Sequence, residues 1–203
     1  MTILRSIEEL ERIYGFPKGG AVFKEIPFLN AHYRAFIEAS PFVVLASAGP
    51  GGLDCSPKGD MPGFVHVLDE KTLAIPDRLG NNRIDTMRNL IVDPRIALLF
   101  LVPGRSETLR VNGKAAISTE AQLLASFAVD GKPPRSVISV TVESAYVHCA
   151  KAFMRSKLWE RAAEGEPPNL PSMGEIMALL SANSVDAASY DREAPARLKA
   201  TLY

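Results

Sequence analysis

The sequence has little cysteine, few aromatic residues and no excess of charge of either sign. Of its 203 residues, 2 are cysteine and 7% are aromatic. Two cysteines are too few for the disulfide framework of a small secreted domain, which favours a reducing compartment. Lysine and arginine together number 23, as do aspartate and glutamate. This balance gives no global field that would draw the chain to nucleic acid or to a membrane surface.

Several familiar sequence patterns are also missing. No apolar stretch approaches the roughly 18 residues of a membrane-spanning helix. The first residues, MTILRSIEELERIYG, become charged after four positions and lack the apolar core of a signal peptide. The histidines at 32, 66 and 148 are scattered, so we expect no metal site. Walker A, Rossmann and G-x-S-x-G patterns are absent. We expect a cytoplasmic protein.

Short apolar runs between turn-forming residues predict a mainly β protein. Residues 42–47 form an apolar run closed by a Gly-Pro-Gly-Gly turn, and residues 53–56 are predicted to be its hairpin partner. Because the strands are bunched rather than alternating one-for-one with helices, the pattern favours a small antiparallel barrel of Greek-key type. The other predicted strands are 64–68, 72–75, 96–102, 108–118 and 137–148.

Helices are predicted on both sides of this strand-rich region. Ser6 with Glu9, and Ser172 with Glu175, have the spacing of capping boxes. We interpret the chain as one domain, with N-terminal helices in 1–40, the barrel in 41–150 and a helical extension in 151–203. The other main helices are predicted from Asn30 to before Pro41, over 82–91, and from Ser118 as the cap to Phe127.

The densest polar segment is IPDRLGNNRIDT, residues 75–86. A strand is predicted to end here and a helix to begin near Asn82. A helix N-terminus offers unpaired N–H groups and a partial positive charge. Flanked by Arg78 and Arg83, it has the composition of a phosphate cradle. An ordinary capped helix with solvated arginines is the commoner meaning of such a pattern.

Two further segments carry suitable chemistry. Lys58, held after Pro57 at a strand end, would reach a phosphate on the same rim; alternatively it is a solvated lysine at a hairpin end. The segment HCAKAFMRSKLW ends at Trp159 and holds four basic residues. Aromatic and basic groups together suit an aromatic, anionic ligand. The alternative is a surface helix whose tryptophan packs into the core or a dimer contact.

The blocks SPKGDMPGFV and IPDRLGNNRIDTMRNLIVDPRIALLFLVPGRSETLRVNGKA resemble the pyridoxamine 5'-phosphate oxidase-like FMN-binding split-barrel family. The similarity runs from about Phe42 to Trp159 and is strongest to the branch with a PDR-x-GN-x-R-x-DT signature. The resemblance implies a six-stranded antiparallel Greek-key split barrel with peripheral helices. It also implies a homodimer with two flavin mononucleotide (FMN) molecules in clefts between the subunits.

By the same resemblance, two groups of residues bind the cofactor. The first group lies at two strand ends and a helix start, near the flavin, its ribityl chain and its phosphate. The second group lies near the interface or approaches the flavin from the partner. The first group comprises Ser56, Pro57, Lys58, Pro76, Asp77, Arg78, Asn81, Asn82 and Arg83. The second comprises Arg105, Arg110, Lys151, Arg155 and Trp159.

The sequence departs from the true pyridoxamine phosphate oxidases. SPKGD replaces their Arg-x-x-Leu-Leu-Lys run, so pyridoxamine phosphate does not follow as the substrate. We expect an FMN-dependent oxidoreductase with an unassigned substrate, and His148 is the only candidate general base. The alternatives are a non-catalytic flavin-binding or flavin-sensing module, and a split barrel that uses deazaflavin F420 or haem.

Overall fold

The computed structural model describes residues 3–163, 165 and 168–203. Its centre is an antiparallel sheet in which the strands follow the order β3-β2-β6-β7-β8-β5-β4, while β1 pairs with β8. The strands are β1 (Glu25–Ile26), β2 (Phe42–Gly49), β3 (Gly52–Gly59), β4 (His66–Val67), β5 (Thr72–Pro76), β6 (Arg95–Leu101), β7 (Thr108–Ser118) and β8 (Val137–His148).

The predicted fold class, a mainly β split barrel with peripheral helices, is confirmed. The strand count differs, because the described residues form eight strands rather than six. Two of the eight, β1 and β4, contain only two residues each. The remaining strands have five residues or more.

The helices are placed around the sheet. They are α1 (Ile7–Tyr14), α2 (Gly20–Phe23), α3 (Ala31–Ala39), α4 (Asp85–Val92), α5 (Ala121–Ser126), α6 (Lys151–Ser156), α7 (Leu158–Ala163), α8 (Met173–Leu180) and α9 (Ala187–Ala200). In the part of the chain that the structure describes, no helix is both long and apolar enough for a membrane span.

Predicted helix caps are largely confirmed. The side chains of Ser6, Asn30 and Ser172 each accept a hydrogen bond from the backbone N–H three residues later. The full capping box forms at Ser172 and Glu175, whereas Glu9 accepts from the N–H of Arg5 instead of Ser6. The prediction that Ser118 caps α5 is wrong. Glu120 is the cap, because its two carboxylate oxygens accept from two successive N–H groups at the start of the helix.

The core lies on the inner face of the strands. Apolar residues alternate along β2, β6, β7 and β8, so one side of each strand is buried. Tyr33 and Ile37 of α3 pack against this face. At Gly113 the β7–β8 register shifts, and an added Cβ would lie 2.1 Å from the Thr141 carbonyl oxygen. The close approach of the two backbones therefore requires glycine at 113.

The end of β3 and the segment after β5 are linked by side chains. Strand β3 pairs only with β2 among the described strands, while β5 pairs with β8 and β4. Lys58 Nζ lies 3.0 Å from Asp77 Oδ1, and Arg78 Nε lies 2.7 Å from Asp60 Oδ2. These two ion pairs connect the end of β3 with the segment after β5, and this junction positions the candidate site.

Candidate functional site

A cleft of about 510 Å³ lies where the end of β3, the segment after β5 and the start of α4 meet. Small-molecule sites typically enclose about 300–1,000 Å³. Seven residues of the first predicted group line it: Ser56, Lys58, Asp77, Arg78, Asn81, Asn82 and Arg83. Residues from β3 and from the loop after β5 are far apart in sequence, so this cleft is a product of the tertiary structure.

The two prolines of the first group lie beside the cleft without lining it. Pro57 is exposed and alternates along β3 with the half-buried Ser56 and Lys58, so it faces away. Pro76 is buried and pairs with Val137 at the end of β5. Pro76 therefore ends β5, whereas Pro57 lies within β3, two residues before its end.

Arg78 is held tightly by the protein. Its Nε donates to Asp60 at 2.7 Å and its Nη1 donates to the Phe127 carbonyl at 2.8 Å. The ring of Tyr203 lies 5.3 Å from the guanidinium carbon. Only 17% of the Arg78 side chain is exposed. Arg78 therefore contributes positive charge to the cleft while two of its five N–H donors are used internally.

Arg83 is the more accessible cation. Its side chain is 71% exposed, and its Nε donates to Asp85 at 2.7 Å. A guanidinium has five N–H donors, so most of them remain available to a ligand. Arg135, which sequence reasoning missed, also lines the cleft and donates to Asn82 Oδ1 at 3.3 Å.

The N-terminus of α4 borders the cleft. The prediction that this helix begins near Asn82 is wrong by three residues, because the first helical residue is Asp85. Ile84 precedes it with φ 54° and provides no side-chain cap. Asn82 also has a left-handed backbone, with φ 58°. Asparagine tolerates that region, whereas a β-branched isoleucine is strained there, and such strain concentrates at functional sites.

Side-chain contacts join α4 to the opposite wall of the cleft. Thr86 is buried, and its Oγ1 lies 3.4 Å from Ser56 Oγ and 3.4 Å from Asp54 Oδ2. Ser56 Oγ in turn lies 3.3 Å from the same Asp54 oxygen. This small hydroxyl–carboxylate network holds the start of α4 against β3 and so fixes the width of the cleft.

The histidines lie outside the cleft. His66 stacks on Phe127 with ring centroids 3.9 Å apart, which is a structural role. Burial, with the nearby Arg78 charge, holds the pKa of His66 below its usual value. His148 ends β8, and burial followed by the charges of Arg110 and Lys24 lowers its pKa.

The second predicted group lies at the other end of the sheet. Trp159 donates from Nε1 to the Arg105 carbonyl at 2.7 Å and stacks on Phe153. Lys151 and Arg155 are exposed on α6. Arg110 lies seven residues along β7 from Ile117, which lines the cleft, and this spacing corresponds to roughly 23 Å. One subunit therefore does not bring the two groups together.

Arg135 and Ser136 are the clearest residues that sequence reasoning missed. They precede β8, and the pairing of Val137 with Pro76 places them beside the end of β5. The sequence feature that marks Arg135 is its position as a basic residue directly after Pro133 and Pro134. This feature indicates a cleft residue only once the pairing of β5 with β8 is known.

The family model for pyridoxamine 5'-phosphate oxidase matches residues 29–149, more than half of the chain. The protein therefore belongs to the pyridoxamine 5'-phosphate oxidase family. Its fold is of the flavin-binding type that is typical of this family. A comparison with curated proteins gives no match.

Solved structures with partial similarity come from several bacteria. HupZ of Group A Streptococcus is 19% identical, with 59% of this chain and 93% of that chain covered and a TM-score of 0.49. General Stress Protein 26 of Bacillus anthracis is 14% identical, with coverage of 56% and 88% and a TM-score of 0.44. A Clostridium acetobutylicum protein related to general stress protein 26 is 15% identical, with coverage of 58% and 85% and a TM-score of 0.43.

Proposed function

We propose that this protein binds FMN in the cleft and acts as an FMN-dependent oxidoreductase. The observation that carries the proposal is the convergence of cations on one end of a cleft within the family-matched region. Lys58, Arg83 and Arg135 come from three separate segments that line the cleft, and the uncapped start of α4 lies among them. Cations together with a helix N-terminus form the usual protein environment for a phosphate.

The residues present fit the charge of FMN. The two carboxylates that line the cleft are each neutralised by a partner, Asp77 by Lys58 and Asp85 by Arg83. Arg135 adds a cation without a carboxylate partner among the described residues. An entering phosphate therefore meets net positive charge, and the exposed N–H groups of Arg83 and Arg135 serve as its donors.

When bound, FMN supplies hydride and electron transfer. The residues of this chain bind and orient it. Arg83 and Arg135 would hold the phosphate, and Lys58 on the β3 wall would add positive charge to the same cleft. Thr86 and Ser56 maintain the separation of the two walls. The substrate and the electron acceptor would enter from the solvent-exposed side of this cleft.

We further propose that two subunits build each complete site. The second predicted group lies roughly 23 Å from the cleft of its own subunit along β7. The same end of a partner subunit would supply Arg105, Lys151, Arg155 and Trp159 to close the cleft over the flavin ring. The exposure of Lys151 and Arg155 leaves them available for such a contact.

A non-catalytic flavin-binding module is the second candidate. Among the described residues no histidine lines the cleft, and both lining carboxylates are ion-paired. The cleft therefore offers no free general base. Steady-state reduction assays with NADH, NADPH and candidate amines separate the two functions, because the module binds FMN without turning over any of them.

The cofactor's identity tests the proposal directly. The protein is purified, its visible absorbance is recorded, and the extracted cofactor is identified by mass spectrometry. We expect a flavin spectrum and the mass of FMN, which also distinguishes it from deazaflavin F420. A colourless protein that does not respond to added FMN in a titration would contradict the proposal.

A further inference from the structure

Arg110 carries a buried hydrogen-bond donor. Its Nε is fully covered and has no acceptor in the part of the chain that the structure describes. The guanidinium carbon lies 5.3 Å from the ring centroid of Tyr146, which is directly opposite Arg110 in the β7–β8 pair. A desolvated charged donor without an acceptor is costly, and native proteins rarely leave one. The guanidinium of Arg110 forms no hydrogen bond or ion pair with the side chains and carbonyls of the described residues, so its N–H donors are left for an acceptor that a ligand provides.

Two more groups make the surroundings of Arg110 suitable for an anion. His148 lies two residues beyond Tyr146 on the same face of β8, and the two rings meet edge-on at 5.0 Å. Burial and the charges of Arg110 and Lys24 hold the pKa of His148 below its usual value, and an imidazole ring has nitrogen atoms that can hydrogen-bond to a ligand. The backbone of Lys24 is fixed, since its carbonyl accepts from the Tyr33 hydroxyl at 2.5 Å.

Glu25 is an internal carboxylate on the same face of the sheet as Arg110. It pairs with Tyr146 across β1 and β8, and so lies on the next strand of the same face. In the described residues, however, Arg110 and Glu25 form no ion pair. The N–H donors of Arg110 are thus left for an acceptor from outside the chain, although Glu25 lies on the same face.

We infer that Arg110, with His148 and Lys24, binds the oxyanion of a small molecule other than FMN, either a carboxylate or a phosphate. The FMN phosphate already has its own cations at the far end of β7, roughly 23 Å away. In the proposed dimer this oxyanion site would lie beside the partner's flavin, and the ligand would be an anionic substrate. That placement rests on the proposed function, whereas the oxyanion site itself does not.

The Nε–H signal of Arg110 in nitrogen-15 NMR spectra tests the inference, with inorganic phosphate and succinate as probes at constant ionic strength. The signal is assigned by its absence from the spectrum of Arg110→Lys. Because this variant keeps the positive charge, it also serves as a folded comparison if Arg110→Ala does not fold. We expect a saturable shift with at least one probe, and the tighter probe identifies the oxyanion. Because Arg110→Ala has no Arg110 signal, its affinity and that of the parent protein for the tighter probe are compared by isothermal titration calorimetry. We expect about a tenfold loss in Arg110→Ala, since a charged hydrogen bond is lost.

Lys114→Ala is the matched control. Lys114 lies on the same strand, is exposed and pairs with Glu143, so its removal should change affinity by less than about twofold. The titrations are repeated with protein that has been saturated with FMN, and we expect the same Arg110 shift. No saturable shift of the Arg110 signal, or a shift caused by FMN that blocks the probes, would overturn the inference. Failure of FMN binding alone would overturn the proposed function and leave this site intact.

Discussion

The Tyr203 hydroxyl donates a 2.6 Å hydrogen bond to the Asp60 carboxylate, 143 positions earlier in the chain. Asp60 also accepts from Arg78 at 2.7 Å and from the backbone N–H of Met61 at 2.8 Å. Only 5% of its side chain is exposed. The segment that follows α9 is thereby anchored to the ion pair that joins β3 to the β5 end, directly beside the candidate cleft.

Tyr203→Phe should destabilise the fold by about 1–2 kcal/mol, because a buried carboxylate loses one of its donors. The measurement is the free energy of unfolding in denaturant. Tyr190→Phe is the control, since Tyr190 contributes its ring to a stack with Arg197 and phenylalanine preserves that ring. Equal stability of Tyr203→Phe and the parent protein would show that the contact contributes nothing.

The Asp60 carboxyl should make stability sensitive to acid. Burial raises its pKa, but the hydrogen bonds from Tyr203, Met61 and Arg78 outweigh burial and hold the pKa below 3.8. A carboxyl with a lowered pKa in the folded state stabilises the fold above its unfolded pKa, and this contribution is lost as the pH falls through the folded pKa. Unfolding measured from about pH 6 to about pH 3 should therefore show a shallower decline for Asp60→Asn than for the parent. Parallel curves would contradict this role.

Arg83→Ala should weaken FMN binding by about 10- to 100-fold, because a charged donor to the phosphate is removed. Arg95→Ala is closely matched, since Arg95 is also an exposed arginine paired with an aspartate two positions away, and it lies outside the cleft. Its FMN dissociation constant should stay unchanged. Fluorescence titration of the flavin measures both, and an unaltered value for Arg83→Ala would remove Arg83 from the site.

FMN affinity should depend on protein concentration if two subunits build each site. Dilution that dissociates the dimer separates the cleft from the second residue group. The flavin should therefore be released over the same range of protein concentration in which the dimer dissociates. Sedimentation velocity with detection at a flavin absorbance band follows both events together. A monomer that carries FMN at full affinity would exclude a shared site.

Gly113→Ala should cost about 1–3 kcal/mol, because the added Cβ meets the Thr141 carbonyl oxygen and a backbone group cannot move aside freely. Gly51→Ala is the control, since no atom lies within 4 Å of the position that its Cβ would take. Thermal unfolding of both variants measures the difference. If Gly113→Ala and Gly51→Ala have the same unfolding temperature, the close approach of the two backbones at residue 113 does not require glycine.

Local sequence patterns were sufficient for most elements. The strand of residues 137–148 was predicted with its observed bounds, because strict alternation of apolar and polar residues marks a half-buried strand. The start of α4 was placed wrongly, since asparagine is an ordinary cap and nothing local indicates that Ile84 adopts a left-handed backbone there. That conformation is imposed by the surrounding structure, where Thr86 is held against β3.

By itself the sequence determined the class of fold and the segments that carry the site's chemistry. The polar segment after β5 could be recognised because a strand end and a helix start are encoded within a dozen consecutive residues. Only the tertiary structure decided that Arg135, Asp60 and Tyr203 lie near this segment, and that Arg110 lies far from it. The reason is physical: these positions depend on which strands pair, and pairing is fixed by the packing of the whole sheet rather than by any local pattern.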